Sequence, residues 1–176
     1  MKNICTVTLC SAAFVLLCVL HQPWAIAANE KAGDGDTDAR VDIPVKLEKA
    51  DVVFSMNHLV LRGDMSVGLR YMDLMAKGFK EAGTKGQIIG VFFNEAGHLT
   101  LTDKAYNTSR NIGTGNPYKG LIADLIKQGV QIEECAETMK AHKWNNDDLL
   151  PGVKVNAGAV LRLVQLAQQG FVQVQP

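Results

Sequence analysis

Cys135 is the strongest candidate for a chemically reactive side chain in this 176-residue chain. It ends the run Val130–Cys135, which has the pattern of a buried strand, and a helical stretch from about residue 136 to 143 follows. Backbone N–H groups at the start of a helix carry partial positive charge and stabilise a thiolate, the reactive form of cysteine. Alternation along the strand places Glu133 on the face of Cys135, where its charge opposes a thiolate, and Glu134 on the other face. Two interpretations stay open: a reactive thiol and a small buried hydrophobic residue.

Polar side chains also follow the first two predicted strands. His58 comes shortly after the first strand, and Asn94 and His98 follow the second. Ligands of open parallel sheets bind beyond the carboxyl ends of the strands, so we expect Asn94, His58 and His98 to bind a ligand near Cys135. A dyad between Cys135 and His142 is not expected, because seven helical residues separate them by roughly 10 Å, beyond hydrogen-bond reach.

No metal or cofactor is predicted from these residues. Met56, His58, Met139 and His142 are residue types that copper accepts, but methionine at helical spacing usually belongs to a core. The acidic residues between positions 30 and 38 lack the spacing and terminal Glu of a calcium loop. A dinucleotide fingerprint also fails, since Tyr118 stands where its third glycine belongs.

Strands and helices alternate along the region that must position Cys135. Five short apolar or alternating runs predict strands, and stretches with apolar residues at 3.6-residue spacing predict four helices. The strands are 52–56, 88–93, 130–135, 153–155 and 171–175, and the helices cover about 67–83, 117–129, 136–143 and 158–169. Repeated strand-helix order predicts an α/β fold with a mainly parallel five-stranded sheet covered by helices on both faces, a three-layer sandwich.

Two segments do not fit this alternation. Residues 94–116 form a long polar stretch that we expect to be a loop at the carboxyl edge of the sheet, and loops of that length are often functional. Residues 41–47 alternate weakly, which favours an additional edge strand. Ser66 is a candidate cap for the first helix and Gly83 for its end, while Asn116 and Pro117 have the pattern of a helix start.

The first 27 residues have the pattern of a secretory signal peptide. Lys2 precedes an apolar run from Ile4 to Leu20, and Ala25 and Ala27 form an A-x-A cleavage site, with cleavage after Ala27 or Ala28. An uncleaved membrane anchor is the alternative, since the run is close to the roughly 17 residues that a short spanning helix needs. Residues 28–50 are predicted to be a flexible polar tail and residues 51–176 the folded domain.

Cleavage changes the cysteine count. Cys5, Cys10 and Cys18 leave with the leader, so Cys135 becomes the only thiol of a periplasmic or secreted protein of about 150 residues. Cysteines in oxidising compartments are usually paired or absent, which makes an unpaired one notable. We expect no stable membrane span after cleavage. With 18 Lys and Arg against 18 Asp and Glu, the charge balance excludes nucleic-acid binding driven by bulk charge.

Three stretches of the chain resemble the DsrE/DsrF-like family of sulfur-relay proteins over about residues 50–176. They are Leu125–Cys135, Asp148–Val155 with its Leu-Leu-Pro-Gly-Val turn, and Leu166–Phe171 with its Gln-Gln-Gly-aromatic ending. The resemblance implies a DsrE-like three-layer fold, flavodoxin-like in general form, and a homo-oligomer. In the sulfur-relay branch, the cysteine matching Cys135 carries sulfane sulfur as a persulfide.

The resemblance therefore implies an exported sulfur carrier or sulfurtransferase-like protein that uses Cys135. Its partners would be a small sulfur donor and a thiol protein as acceptor, with thiolate attack on the donor as the chemical step. The sequence departs from the relay members in its export signal, because those members are cytoplasmic. The alternative function is a non-catalytic module of the same fold that binds a small ligand or partner. A third hypothesis is an oxidation-sensitive dimer whose two subunits are linked through Cys135.

Overall fold

The computed structural model describes residues 40–176, so the predicted leader and most of the predicted tail lie outside the described residues. The chain divides into two units, residues 1–42 and residues 43–176. Only residues 40–42 of the first unit are described, and in them the Arg40 guanidinium lies 2.7 Å from the Asp42 carboxylate. Within residues 40–176, no helix has the length and apolar character needed to cross a membrane.

Five strands of the second unit form one parallel sheet. They are β1 (Val52–Met56), β4 (Ile88–Phe92), β5 (Gln131–Cys135), β6 (Lys154–Asn156) and β7 (Val172–Val174). Their order across the sheet is β6-β5-β4-β1-β7, and every neighbouring pair is parallel. The prediction of a parallel five-stranded sheet in an α/β fold is confirmed.

Helices cover both faces of this sheet. They are α1 (Val67–Ala82), α2 (Asp103–Arg110), α3 (Lys119–Lys127), α4 (Ala136–His142) and α5 (Ala159–Gln168). Helices α1 and α3 contribute to one large core with alternate residues of β1 and β4, such as Phe54 and Phe92. Helix α5 packs on the opposite face, where Leu166 meets Val53 and Ile89. Because both faces are covered, every residue of β1 and β4 is buried, as their apolar sequences predict.

The two ends of helix α1 differ in how they are capped. Gly83 ends the helix as predicted, in the left-handed conformation at φ 66°, and its N–H donates to the carbonyl of Phe79. Ser66 precedes the first helical residue, but its side chain makes no capping hydrogen bond. Ser66 therefore lies where the sequence predicts, directly before the helix, but the predicted capping hydrogen bond is not formed.

A small antiparallel hairpin, absent from the sequence prediction, lies between β1 and α1. Its strands β2 (Leu61–Arg62) and β3 (Met65–Ser66) have two residues each, and Gly63 in the turn has φ 62°. Strands this short carry no alternation that could predict them. Residues 41–47, in contrast, do not form the predicted edge strand, and the chain first pairs at a single bridge between Lys49 and Lys85.

The prediction of a loop over residues 94–116 is wrong. A 3-10 helix, Asn94–Thr100, and then α2 occupy most of this segment. Buried Asn116 holds it together, since its amide Nδ2 donates to the carbonyls of Leu99 at 2.9 Å and Leu101 at 2.6 Å. Its Oδ1 accepts the N–H of Tyr118, the residue before α3, which agrees with the predicted role of Asn116 at a helix start.

Candidate functional site

Cys135 lies at the junction that the sequence predicts, as the last residue of β5 and the residue immediately before α4. Among residues 40–176 it is the one cysteine, and it is 4% exposed. The side chain points toward helix α5, where the backbone N–H of Ala159 donates to Sγ over 3.3 Å. Ala159 is the first residue of α5, so a second helix also begins at this sulfur.

Cys135 borders a cleft of about 550 Å³ at the carboxyl edge of the sheet. Its lining residues follow β4, β5 and β6: Phe93, Asn94, Cys135, Glu137, Thr138, Ala141, His142, Ala157, Gly158, Ala159, Val160 and Leu161. Most of these are apolar, and the one acidic side chain, Glu137, accepts a hydrogen bond from Lys140 at 2.7 Å. A groove of similar volume, about 540 Å³, lies at the opposite edge beside Ile88 and Val130, but it contains no cysteine or histidine.

Glu133 shares the α5 face of the sheet with Cys135, as predicted, but its charge is compensated. The carboxylate is buried and accepts hydrogen bonds from Arg162 through Nε and through Nη2 at 2.8 Å. Gln131 and Asn156 donate two more. Burial alone would raise the pKa of Glu133, but these donors hold it below its usual value. The opposition to a thiolate that the sequence suggests is therefore weakened by an arginine from α5.

Glu134 lies on the other face, fully buried against the 3-10 helix. Burial raises the pKa of its carboxyl group to about 8, against smaller effects of the Thr100 hydroxyl and a backbone N–H. The Thr100 oxygen lies 2.9 Å from Oε2 and 2.8 Å from the carbonyl of Gly97, although a hydroxyl has one hydrogen. Both contacts are satisfied when Glu134 is protonated and donates to Thr100. Its Oε1 has no hydrogen-bond partner among the described residues.

Asn94 lies beside Cys135 in the cleft, where the sequence places it. Its backbone is left-handed, with φ 50°, a conformation that asparagine tolerates better than most residues. Its N–H donates to the Thr138 hydroxyl at 3.0 Å, and its Nδ2 donates to Asn57 Oδ1 at 2.6 Å. These bonds connect the ends of β1 and β4 to helix α4.

The other two predicted ligand-binding residues do not line the cleft. His58 is exposed, and its ring lies 3.1 Å from the side-chain nitrogen of Asn57. His98 is buried in the 3-10 helix, with Nδ1 at 3.0 Å from the carbonyl of Glu95 and Nε2 at 3.0 Å from the Ser109 hydroxyl. Burial lowers the pKa of His98, which favours the neutral ring.

His142 lines the cleft instead, at the end of α4. Its ring stacks on Trp144, with centroids 4.5 Å apart and planes inclined by 14°. The ring of His98 forms a T-shaped pair with it, with centroids 5.1 Å apart. No hydrogen bond joins His142 to Cys135 in the described part of the chain, in agreement with the rejection of a direct dyad.

The DsrE/DsrF-like family model matches residues 70–176. The chain belongs to the DsrE/DsrF-like family. Two solved structures share the fold of this DsrE/DsrF-like protein. A protein of unknown function from Methanobacterium thermoautotrophicum, MTH1491, is 23% identical with a TM-score of 0.56, covering 72% of this chain and 99% of its own. The ychN protein from E. coli is 15% identical with a TM-score of 0.53 and the same coverage. No curated protein matches the chain.

Two side chains of this DsrE/DsrF-like site are not among the residues that the sequence predicts for it. In the sequence, Arg162 cannot be distinguished from the solvated cations, and only the position of the first turn of α5 beside the end of β5 brings it to Glu133. His142 ends the short helix that begins directly after Cys135, and the helical pattern of residues 136–143 is the signal that places it at the same edge of the sheet. Among residues 40–176, no group of three or more His, Cys, Asp or Glu side chains is arranged to hold a metal ion.

Proposed function

We propose that this DsrE/DsrF-like protein is an exported sulfur carrier that holds sulfane sulfur as a persulfide on Cys135. The observation that carries the proposal is the position of Sγ, which is nearly enclosed, borders an apolar cleft and accepts the N–H of Ala159. Family membership supports the same chemistry, since the family includes sulfur-relay proteins.

The chemical step is thiolate attack on a sulfane sulfur. The Cys135 thiolate forms a new S–S bond to the outer sulfur of the donor, and the old S–S bond breaks with its electron pair on the leaving sulfur. An acceptor thiolate later attacks the same outer sulfur and regenerates the Cys135 thiolate. The backbone N–H of Ala159 favours negative charge on Sγ, and the enclosed position limits access by water and large oxidants.

Export is the second part of the proposal. The pattern of residues 1–27 supports a cleaved leader, which would leave a tail over residues 28–50 and the α/β domain over residues 51–176. In the periplasm or outside the cell, Cys135 would then be the only thiol of the chain, so a persulfide there could not be lost to an internal disulfide. A small sulfur donor, a thiol protein as acceptor and a homo-oligomer complete the proposal.

The test is the mass of the purified protein after incubation with thiosulfate, polysulfide or glutathione persulfide. We expect a gain of one sulfur atom that peptide mapping places on Cys135 and that a reducing agent removes. The matched control is Cys135→Ser, which keeps the size of the side chain and loses the nucleophile. The persulfide function would be overturned if no donor added sulfur to the protein. It would also be overturned if the serine variant gained as much sulfur as the natural protein, with the added sulfur mapped to residues 40–176.

A non-catalytic binding module is the second candidate, and the apolar surface beside the cleft favours it. Val160 and Leu161 at the start of α5 line the cleft and are 69% and 75% exposed, and Val164 on the next turn is exposed as well. Exposed apolar side chains that are contiguous with a cleft are typical of a binding surface. An unreactive Cys135 together with saturable binding that Leu161→Asp abolishes would support this function over sulfur transfer.

A further inference from the structure

We propose that His142 donates the proton that the leaving thiolate takes up when Cys135 accepts sulfur from a hydropersulfide, an inference that rests on the proposed persulfide function. Both side chains line the same cleft, one at each end of helix α4. Cys135 immediately precedes α4 and His142 is its last residue, so the helix length, at about 1.5 Å per residue, separates their backbones by about 10 Å. The cleft thus has a sulfur nucleophile at one end and an imidazole at the other.

This separation excludes a direct hydrogen bond and suits a group at the far end of the donor. During transfer, the attacking sulfur, the transferred sulfur and the leaving sulfur lie roughly in line, with S–S bonds of about 2 Å when fully formed. A hydrogen bond from the leaving sulfur to a ring nitrogen adds about 3 Å. Because the S–S distances lengthen during transfer, the whole array spans roughly 8 Å, which is comparable with the length of α4 between Cys135 and His142.

The His142 ring is held in place, while its nitrogens remain available to a ligand. Trp144 stacks on it with ring centroids 4.5 Å apart, and His98 forms a T-shaped pair with it with centroids 5.1 Å apart. His98 is itself fixed by Glu95 and Ser109. Within residues 40–176, neither ring nitrogen of His142 has a hydrogen-bond partner, whereas both nitrogens of His98 have one.

Other polar groups of the cleft are poor proton donors. The Glu137 carboxylate accepts a hydrogen bond from Lys140 at 2.7 Å, and this salt bridge holds it as an acceptor. Thr138 accepts the N–H of Asn94, and neither a hydroxyl nor an amide releases a proton near neutral pH. Imidazole is the side chain that exchanges protons readily in this range. His142 is therefore the cleft residue suited to general acid catalysis.

The balanced step needs no oxidant or reductant. The Cys135 thiolate bonds to the outer sulfur of R–S–S–H, and the bond between the two donor sulfurs breaks with its electron pair on the R–S fragment. The imidazolium proton of His142 moves to that sulfur and gives R–S–H, while Cys135 retains S–S–H. His142 is exposed, so the neutral ring regains its proton from water.

The experiment compares two small sulfur reagents on the purified full chain, with adduct formation on Cys135 followed by peptide mass. Glutathione persulfide expels a basic thiolate that benefits from a proton, whereas methyl methanethiosulfonate expels a sulfinate that does not. We expect His142→Gln to slow persulfide transfer at least about tenfold and to leave the methanethiosulfonate reaction unchanged. His58→Gln is the matched control, an exposed histidine outside the cleft, and should alter neither rate.

Three other results would contradict the role of His142. Equal slowing of both reagents by His142→Gln would assign His142 a structural role and overturn the inference. Unchanged persulfide transfer in that variant would overturn it as well, while leaving the persulfide function intact. If the natural protein reacts with methanethiosulfonate but never forms a persulfide, the proposed function itself fails, and the inference fails with it.

Discussion

Glu134 is the residue whose replacement gives the most quantitative test of this structure. Its carboxyl group is fully buried between β5 and the 3-10 helix, and burial raises its pKa from the ordinary 4.5 to about 8. Between these two values, the folded protein keeps a proton that the unfolded chain has released. The free energy of unfolding therefore falls as the pH rises from about 4.5 to about 8, with a limiting slope of about 1.4 kcal/mol per pH unit.

Glu134→Gln removes this titration while preserving the shape of the protonated side chain. Its amide can keep the 2.9 Å contact with the Thr100 hydroxyl, as a donor through its nitrogen or as an acceptor through its oxygen. From pH 5 to pH 8, the natural protein should lose roughly 3 to 4 kcal/mol more stability than the glutamine variant. The lowered pKa of His98 acts in the opposite direction in both proteins, so it cancels in this difference.

Urea unfolding followed by circular dichroism at several pH values measures the effect. The slopes with denaturant should match in the two proteins, so that midpoints report stability. The additional amide hydrogen of glutamine lowers the free energy of unfolding of the variant by an amount that does not depend on pH. It therefore does not affect the comparison of the two pH dependences. Parallel stability curves for the two proteins between pH 5 and pH 8 would refute the assignment of a protonated Glu134.

Two further substitutions test contacts that hold the site. Arg162→Met leaves the buried Glu133 carboxylate without its cation, and we expect the free energy of unfolding at pH 7 to fall by about 3 kcal/mol in urea denaturation. A loss below about 1 kcal/mol would contradict a buried ion pair. Asn116→Ala removes the donor to the carbonyls of Leu99 and Leu101, and should cost about 2 kcal/mol in thermal unfolding. An unchanged melting temperature would show that the segment before α3 does not depend on this side chain.

The sequence predicts the sheet well because its central strands carry their own signal. Strand β1 is an apolar run bounded by polar residues, and burial on both faces requires such a run. The segment over residues 94–116 carries no comparable signal. Its helices depend on Asn116 and on Asp103, which accepts the backbone N–H of Asn116 at 2.8 Å, so its order comes from contacts distant in sequence. Composition alone marks it as a loop.

The candidate site follows the same division. Cys135 and Asn94 could be located because strand ends are readable and the carboxyl edge of a parallel sheet collects them. His58 and His98 obey the same topological rule, yet their side chains turn away from the cleft, which depends on local hydrogen bonds that no spacing rule contains. Arg162 reaches Glu133 only because the first turn of the last helix lies beside the end of β5.

The position of β7 has a consequence for how the protein is made. Among residues 40–176, β7 is the last of the five strands of the sheet and pairs with β1, the first, and the N–H of Val172 donates to the carbonyl of Asp51 at 2.9 Å. One edge of β1 therefore stays open until residues 172–174 have been made, after the other four strands of this sheet. An apolar strand with a free edge is a template for pairing with another chain. A polypeptide that lacked β7 would keep this edge of β1 open, so we expect it to aggregate more readily than a polypeptide that includes β7.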